Sequence, residues 1–314
     1  MKLKHYLEKG VERKWLIENL IPMGEIVILY APTNQFKTFL SLKIALEVIT
    51  GSQELGRSVS GRVYLISPDT TAQDLVLRIK GLIKADYEDQ ESVISENLSI
   101  EFEEFFDLTA DNNYEEPEEG TKLTWEQAGG FDEDEGNKLV IIDTLSQSLG
   151  SSSVNDDSAI RKAIKNLKEY IRGAKYNLSV LVIAHAGKNT GKGIMGSSLQ
   201  KNDFPTVLNI RKFKKQYQLY REKIKDASEG TGIPFKTRSI SVDGYETLYV
   251  DIGEELTDFE VEILDLFDVG FSRLEIFKKL FEKHKTQQPN KESFRVMFGR
   301  KWKKLLSKGF VKDE

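Results

Sequence analysis

The chain has 314 residues, 30% of them charged and 10% aromatic, with a formal net charge of −5. That length can bury a full core and leaves room for a second, small domain. With no cysteine and three scattered histidines (His5, His185, His284), disulfides, thiol catalysis and cysteine metal sites are excluded and a zinc site is not expected. No apolar run reaches the length of a membrane span, and the opening MKLKHYLEKG lacks the apolar core of a signal peptide. A cytoplasmic protein with no membrane partner is expected. Charge is uneven along the chain. Asp86 to Glu135 holds 19 acidic residues against one base, Lys122, whereas Phe271 to Glu314 holds 13 Lys/Arg against 5 Asp/Glu. The basic end is a candidate polyanion contact.

Residues 1–24 lead in, with Trp15-Leu16-Ile17 and Leu20-Ile21-Pro22 expected beside the first core strand and Gly24 at the turn into it. Glu25–Tyr30 (EIVILY) is an apolar, β-branched run and predicts a strand. Lys37–Ile49 places Phe39, Leu40, Leu42, Ile44, Ala45, Leu46, Val48 and Ile49 at helical spacing. The turn between them ends in Phe36-Lys37-Thr38. Strand, turn, Lys-Thr and helix is the layout of a P-loop, here with Ala31 and Phe36 where the motif carries glycine.

Arg62–Ser67 predicts a second strand, Leu75–Ile83 a helix and Leu98–Phe102 a third strand. Tyr114–Gly136 has no periodicity, and an acidic loop or insertion is expected over about 109–136. Leu139–Thr144 (LVIIDT) sets four apolar residues before an Asp. Asp156–Arg172 predicts a helix, and Val180–Ala184 a buried strand ending at His185. The Gly187–Gly193 stretch (GKNTGKG) predicts a loop, Thr206–Lys225 a hairpin and Ile240–Val250 further strands. Strands alternating with helices imply a mostly parallel sheet covered on both faces. From Thr257 the pattern changes to three helices, Phe259–Phe267, Arg273–His284 and Lys291–Ser307. The ending LLSKGFV suggests the exit of a winged helix. The predicted organisation is a lead-in (1–24), an α/β P-loop core (25–253) and a basic, winged-helix-like domain (257–314).

In a P-loop, backbone N–H groups and the helix N-terminus hold phosphate oxygens. Asn34, Gln35, Phe36, Lys37, Thr38 and Phe39 would line that cradle, Lys37 neutralising phosphate charge and Thr38 facing Mg²⁺. Asp143, at the end of an apolar strand, fits the aspartate that holds Mg²⁺ beside the P-loop hydroxyl. His185 ends the next strand and suits a γ-phosphate sensor; alone, it reads equally as a satisfied histidine at a sheet edge. Asp69, after the second strand, is the best-placed general base, and reads equally as a turn or helix-capping residue. ATP and Mg²⁺ are the expected ligands.

These motifs resemble the RecA-like ATPases of the RepA type, which include plasmid replicative helicases and many phage and mobile-element ATPases. The resemblance spans about Trp15 to Val250. It rests on WLIENLIPMGEIVILY, APTNQFKTFLSL, LVIIDTLSQSLG, HAGKNTGKGIMGSSLQ and KIKDASEGTGIPF, in that order. It implies a RecA-like fold and an Mg-ATPase core assembling into a ring, commonly a hexamer, with ATP between subunits. Lys37, Thr38, Asp143 and His185 match the family's site. The family usually has Glu where Asp69 stands, and often Arg where Met195 precedes Gly196-Ser197-Ser198. The basic finger acting in trans must then come from elsewhere, with Arg211, Lys223 and Lys225 as candidates; solvated lysines guarding an edge strand are the other account of them.

Single-stranded DNA is the expected partner, contacted by Lys188 and Lys192 of the glycine-rich loop and by Arg295, Arg300, Lys301 and Lys304 of the last helix. The expected function is an ATP-dependent DNA motor, a replicative helicase-like ATPase of phage or mobile-element type working in the host cytoplasm. A nucleotide-switched loader, regulatory protein or recombinase-like ATPase with little turnover is the alternative.

Overall fold

In the computed structural model of the protein, the residues described are 13–102, 107–110, 136–174, 176–187, 194, 203–213, 216–225, 230, 232–253, 256–286, 290–307 and 311–312. Most of the acidic stretch, Lys188, Lys192, Met195 and the Gly196-Ser197-Ser198 motif lie outside them, as do residues 308–310 of the expected wing. The chain divides into two compact units, one of residues 1–211 and 218–253, the other of residues 212–217 and 254–314.

The first unit has an α/β, RecA-like P-loop fold. Its strands are β1 (Trp15–Ile17), β2 (Ile21–Pro22), β3 (Ile26–Ala31), β4 (Arg62–Ile66), β5 (Leu98–Glu101), β6 (Asn137–Asp143), β7 (Asn177–His185), β8 (Thr206–Phe213), β9 (Gln216–Ile224), β10 (Gly232–Val242) and β11 (Tyr245–Ile252). β1 and β2 form a small antiparallel pair. The others form one nine-stranded sheet in the order β11-β10-β9-β8-β3-β7-β6-β4-β5. From β8 to β5 every pairing is parallel; β10 and β11 extend the sheet antiparallel. Central parallel strands are covered on both faces and so read as unbroken apolar runs. All six residues of β3 are buried, as are the last six of β6.

Register brings the strand ends together. Ala31 of β3 pairs with His185 of β7, and Asp143 of β6 pairs with Ile183 of the same β7. β4 lies beside β6, so the turn after Ile66 opens at the same edge. Residues far apart in sequence thus converge at the carboxyl ends of adjacent strands, where open α/β sheets bind ligands.

The helices of this unit are α1 (Lys37–Thr50), α2 (Ala72–Leu82), α3 (Glu91–Asn97) and α4 (Asp157–Gly173). α4 begins at Asp156, whose carboxylate accepts from Ser158 N and Ala159 N, and buries Ile160, Ala163, Ile164 and Leu167. α1 is buried nearly all round, including Lys43 and Glu47. Lys43 is fully enclosed, yet its ammonium meets Glu54 at 2.9 Å and Asp86 at 2.6 Å and lies over the Tyr87 ring. Those partners replace the water that a buried cation loses. α2 crosses close to β10 and β11. A Cβ on Gly81 would stand 2.7 Å from Thr247 Cγ2, so a side chain there would require the Thr247 methyl to shift.

The second unit contains α5 (Asp258–Asp268), α6 (Arg273–His284) and α7 (Lys291–Ser307). Thr257 with Glu260, and Ser272 with Glu275, close capping boxes at the first two helices, each contributing about 1 kcal/mol. Phe294, Phe298, Trp302 and Leu305 of α7 bury against Ile263, Leu264, Ile276 and Leu280.

Candidate active site

The loop after β3 turns through two left-handed residues, Asn34 (φ 59°) and Phe36 (φ 57°). Asn tolerates that region; a Phe there costs on the order of 1–2 kcal/mol. The Phe36 ring lies edge-on to Phe39, centroids 6.3 Å apart, a contact of about 0.5–1.5 kcal/mol that offsets much of the strain. Phe36 thus adopts a backbone conformation ordinarily reserved for glycine, and its carbonyl accepts Leu40 N at 2.9 Å to start α1. No side chain caps that helix N-terminus and its first turn holds no acid, which leaves its N–H groups for an anion.

Lys37 folds back over the loop, its Nζ donating to Ala31 O (3.1 Å) and Pro32 O (3.0 Å). Burial lowers its pKa while Asp143 raises it. Thr38 Oγ1 donates to Asp143 Oδ2 at 2.7 Å. Burial pushes the Asp143 carboxyl up; the Thr38 hydroxyl and the Lys37 ammonium oppose that push, Asp69 adds to it, and Arg78 opposes it. His185 is held below its ordinary value by burial and by Lys37, against the pull of Asp69. Lys37, Thr38, Asp69, Asp143 and His185 therefore share one crevice.

Asp69 is exposed, and its Oδ2 accepts from Thr144 Oγ1 at 3.1 Å. It does not cap α2: that role belongs to Thr71, whose hydroxyl accepts Asp74 N. Two polar atoms in the loop region are buried without a hydrogen-bond partner among the described residues, Gln35 Oε1 and His185 Nδ1. Such orphans carry a desolvation cost that a bound polar group would offset. The open helix N-terminus and an N–H at His185 Nδ1 fit a phosphate-bearing ligand, whereas Gln35 Oε1 is an acceptor and calls for a donor. Among the described residues no group of three or more His, Asp or Glu side chains could cage a metal. Thr38 and Asp143 fit Mg²⁺ instead, which binds through few protein ligands, water and substrate phosphates.

The remaining candidates lie elsewhere. Arg211 sits over the Tyr220 ring at 3.2 Å and Lys223 Nζ donates to Phe204 O at 2.8 Å; Lys225 is exposed. In the second unit, Arg295 and Arg300 are exposed, but Lys301 and Lys304 close on the buried Glu260 at 3.3 and 3.1 Å. Two residues absent from the sequence expectation belong to the crevice. Thr144 holds Asp69. Arg78 of α2 lies over the Phe39 ring at 4.8 Å and acts electrostatically on Asp143. A signal for Arg78 was available: it is a cation set among Leu75, Ile79 and Leu82, the apolar stripe of α2.

A parallel sheet with a Lys-Thr loop, a strand-end Asp and a strand-end His at one edge defines a RecA-like P-loop ATPase domain. The chain belongs to the AAA domain family, whose profile matches residues 3–191. No curated protein matches it. Among solved structures, an ATPase domain of another protein is similar, with a TM-score of 0.43 and 16% identity over 67% of this chain and 80% of that chain.

Proposed function

We propose that this protein is an ATP-dependent DNA motor: a replicative helicase-like ATPase of the RepA type, of phage or mobile-element origin. It hydrolyses ATP between subunits of a homo-oligomeric, commonly hexameric ring and contacts single-stranded DNA. The observation that carries this reading is the 2.7 Å Thr38–Asp143 hydrogen bond at the sheet's carboxyl edge, beside Lys37. In this reading residues 25–253 form the motor core and 257–314 a basic, winged-helix-like domain.

The loop N–H groups and Lys37 hold the phosphates, and Thr38 with Asp143 would hold Mg²⁺, which when bound would supply positive charge to the phosphate oxygens. Asp69, steadied by Thr144, orients a water and takes its proton as the water oxygen bonds to the γ-phosphorus and the bond to ADP breaks. His185 carries the state of that phosphate toward the loop that follows β7. Arg78 steadies Asp143 from within the subunit, and Arg211, Lys223 or Lys225 supplies positive charge to a neighbouring subunit. Single-stranded DNA meets Lys188 and Lys192, with Arg300 the remaining contact on α7.

A second reading has one observation in its favour. Asp69 is the shorter acid, and one of its oxygens is already occupied by Thr144. Slow hydrolysis would make the protein a nucleotide-switched loader or regulator. ATP turnover measured on the purified chain, with and without single-stranded DNA, separates the two. A motor is strongly stimulated by DNA and inactive as Lys37→Ala. Binding of ATP without stimulated turnover supports the switch, and failure to bind ATP overturns both.

A further inference from the structure

The second unit has a groove of about 1370 Å³ between α6 and α7. Its floor is aromatic, formed by Phe277, Phe281, Phe298 and Trp302. Four exposed cations, Arg273, Lys278, Lys291 and Arg295, rim it against two acids, Glu282 and Glu292. Leu274 stands on the lip, 62% exposed. Trp302 is only 1% exposed, and its indole Nε1 has no hydrogen-bond partner among the described residues. The Arg273 guanidinium lies over its ring at 5.4 Å. That stacking holds a rim cation in place above the aromatic floor.

We propose that this groove docks an acidic peptide segment of a partner protein. One bulky apolar side chain of the peptide covers Leu274 and the aromatic floor, and its carboxylates meet the four cations. Charge complementarity selects an acidic occupant, and the aromatic burial selects a peptide over nucleic acid. Phe281, Phe298 and Trp302 are at most 8% exposed, so they offer edges rather than open faces for stacking bases. Glu282 and Glu292 interrupt the rim. A continuous phosphate backbone would have to pass them, whereas a peptide places its charges singly. The site is separate from the nucleotide crevice and its test does not depend on ATP turnover.

The experiment pans the full-length chain against a displayed random dodecapeptide library, then measures the enriched peptides by fluorescence polarisation. Acid-rich sequences with a bulky apolar residue are expected. Their affinity should fall by about tenfold or more in Lys278→Glu/Arg295→Glu and in Leu274→Asp, with helical circular dichroism unchanged. The Trp302 indole N–H resonance should shift on peptide binding, which loss of surface charge alone would not produce. No enrichment, enrichment without acidic bias, or binding indifferent to these substitutions overturns the proposal. Displacement of the peptide by a single-stranded oligonucleotide that shifts the same resonance overturns it too and assigns the groove to nucleic acid. A concentration-dependent shift of the free chain overturns it in favour of a second copy.

Discussion

Thr38 Oγ1 and Asp143 Oδ2 are 2.7 Å apart although 105 positions separate them in the chain. The parallel register of β3, β7 and β6 produces that meeting. Without Mg²⁺ the hydroxyl is the nearest positive dipole to a carboxylate that burial makes expensive to ionise. Thr38→Ala and Asp143→Asn should each lower Mg-ATP hydrolysis by about a hundredfold, roughly 2.7 kcal/mol in the barrier. The ligand-free proteins should differ from one another. Asp143 has a raised folded pKa, so its stabilising contribution is present below its unfolded value and is lost as pH rises through the folded one. Asp143→Asn removes that penalty. At neutral pH its melting temperature without ligand should equal or exceed the parent's, while the increment produced by Mg-ATP disappears. A large fall in the ligand-free melting temperature would contradict the assignment.

Phe36 occupies φ 57° where the motif usually carries glycine. Phe36→Gly removes the left-handed strain but also the edge contact with Phe39, and the two terms nearly cancel. Its stability should stay within about 1 kcal/mol of the parent, with ATP affinity retained. Phe36→Val puts a β-branched residue at positive φ and should reduce both stability and nucleotide binding. Urea unfolding and nucleotide titration of the two variants give the comparison.

Much of this site was legible in the residues because the chemistry of a P-loop is local. Lys37 and Thr38 follow an apolar strand after one short loop, and Asp143 and His185 end apolar runs that a buried parallel strand explains. What joins them, the β3-β7-β6-β4 order, is long-range and leaves no mark on periodicity. Arg78 escaped because apolar spacing defines a helix without saying what a cation within its stripe faces. Lys43 is similar: its enclosure depends on Glu54 and Asp86, which belong to other segments. On α7, a count of basic residues overstated the surface charge, since Lys301 and Lys304 are drawn onto Glu260.

In the proposed mechanism Asp69 and Thr144 bear on turnover rather than binding. Asp69→Asn should retain ATP affinity and lose hydrolysis by a factor of about 10²–10⁴, the usual range for a general base. Asp69→Glu restores the longer acid and should hydrolyse at least as fast as the parent. Thr144→Val frees the Asp69 carboxylate and should change the turnover number with little change in the Michaelis constant. Equal hydrolysis by Asp69→Asn and the parent would remove Asp69 from the mechanism.

Arg78 reaches the crevice from α2 and lies against Phe39, the neighbour of Thr38. Arg78→Gln should lower turnover by about tenfold or more, and Arg78→Lys should recover only part, because an ammonium lacks the planar face that stacks on the ring. A purely structural role would lower the melting temperature of both variants without altering the Mg²⁺ dependence. A positioning role predicts the reverse: a higher Mg²⁺ requirement for hydrolysis at nearly unchanged stability.

Glu260 supplies the clearest acid-labile element of the second unit. Burial opposes its ionisation, but bonds from Thr257 N and Oγ1 and from Lys304 and Lys301 prevail, lowering its pKa from 4.5 to about 2. A folded pKa below the unfolded one stabilises fully above the ordinary glutamate range, and the contribution is lost as pH falls toward the folded value. The shift corresponds to at most roughly 3 kcal/mol, and to less once solvent screening of the partly exposed lysines is counted. Urea titrations of the full chain, following the Trp302 indole resonance at about pH 6 and about pH 3, measure this unit's stability. The parent should lose much of its stability between the two. Glu260→Gln has no carboxylate to protonate there, so it should start lower and decline less. An identical decline in both would mean that other carboxylates govern the acid response and that the Glu260–Lys301–Lys304 cluster contributes little.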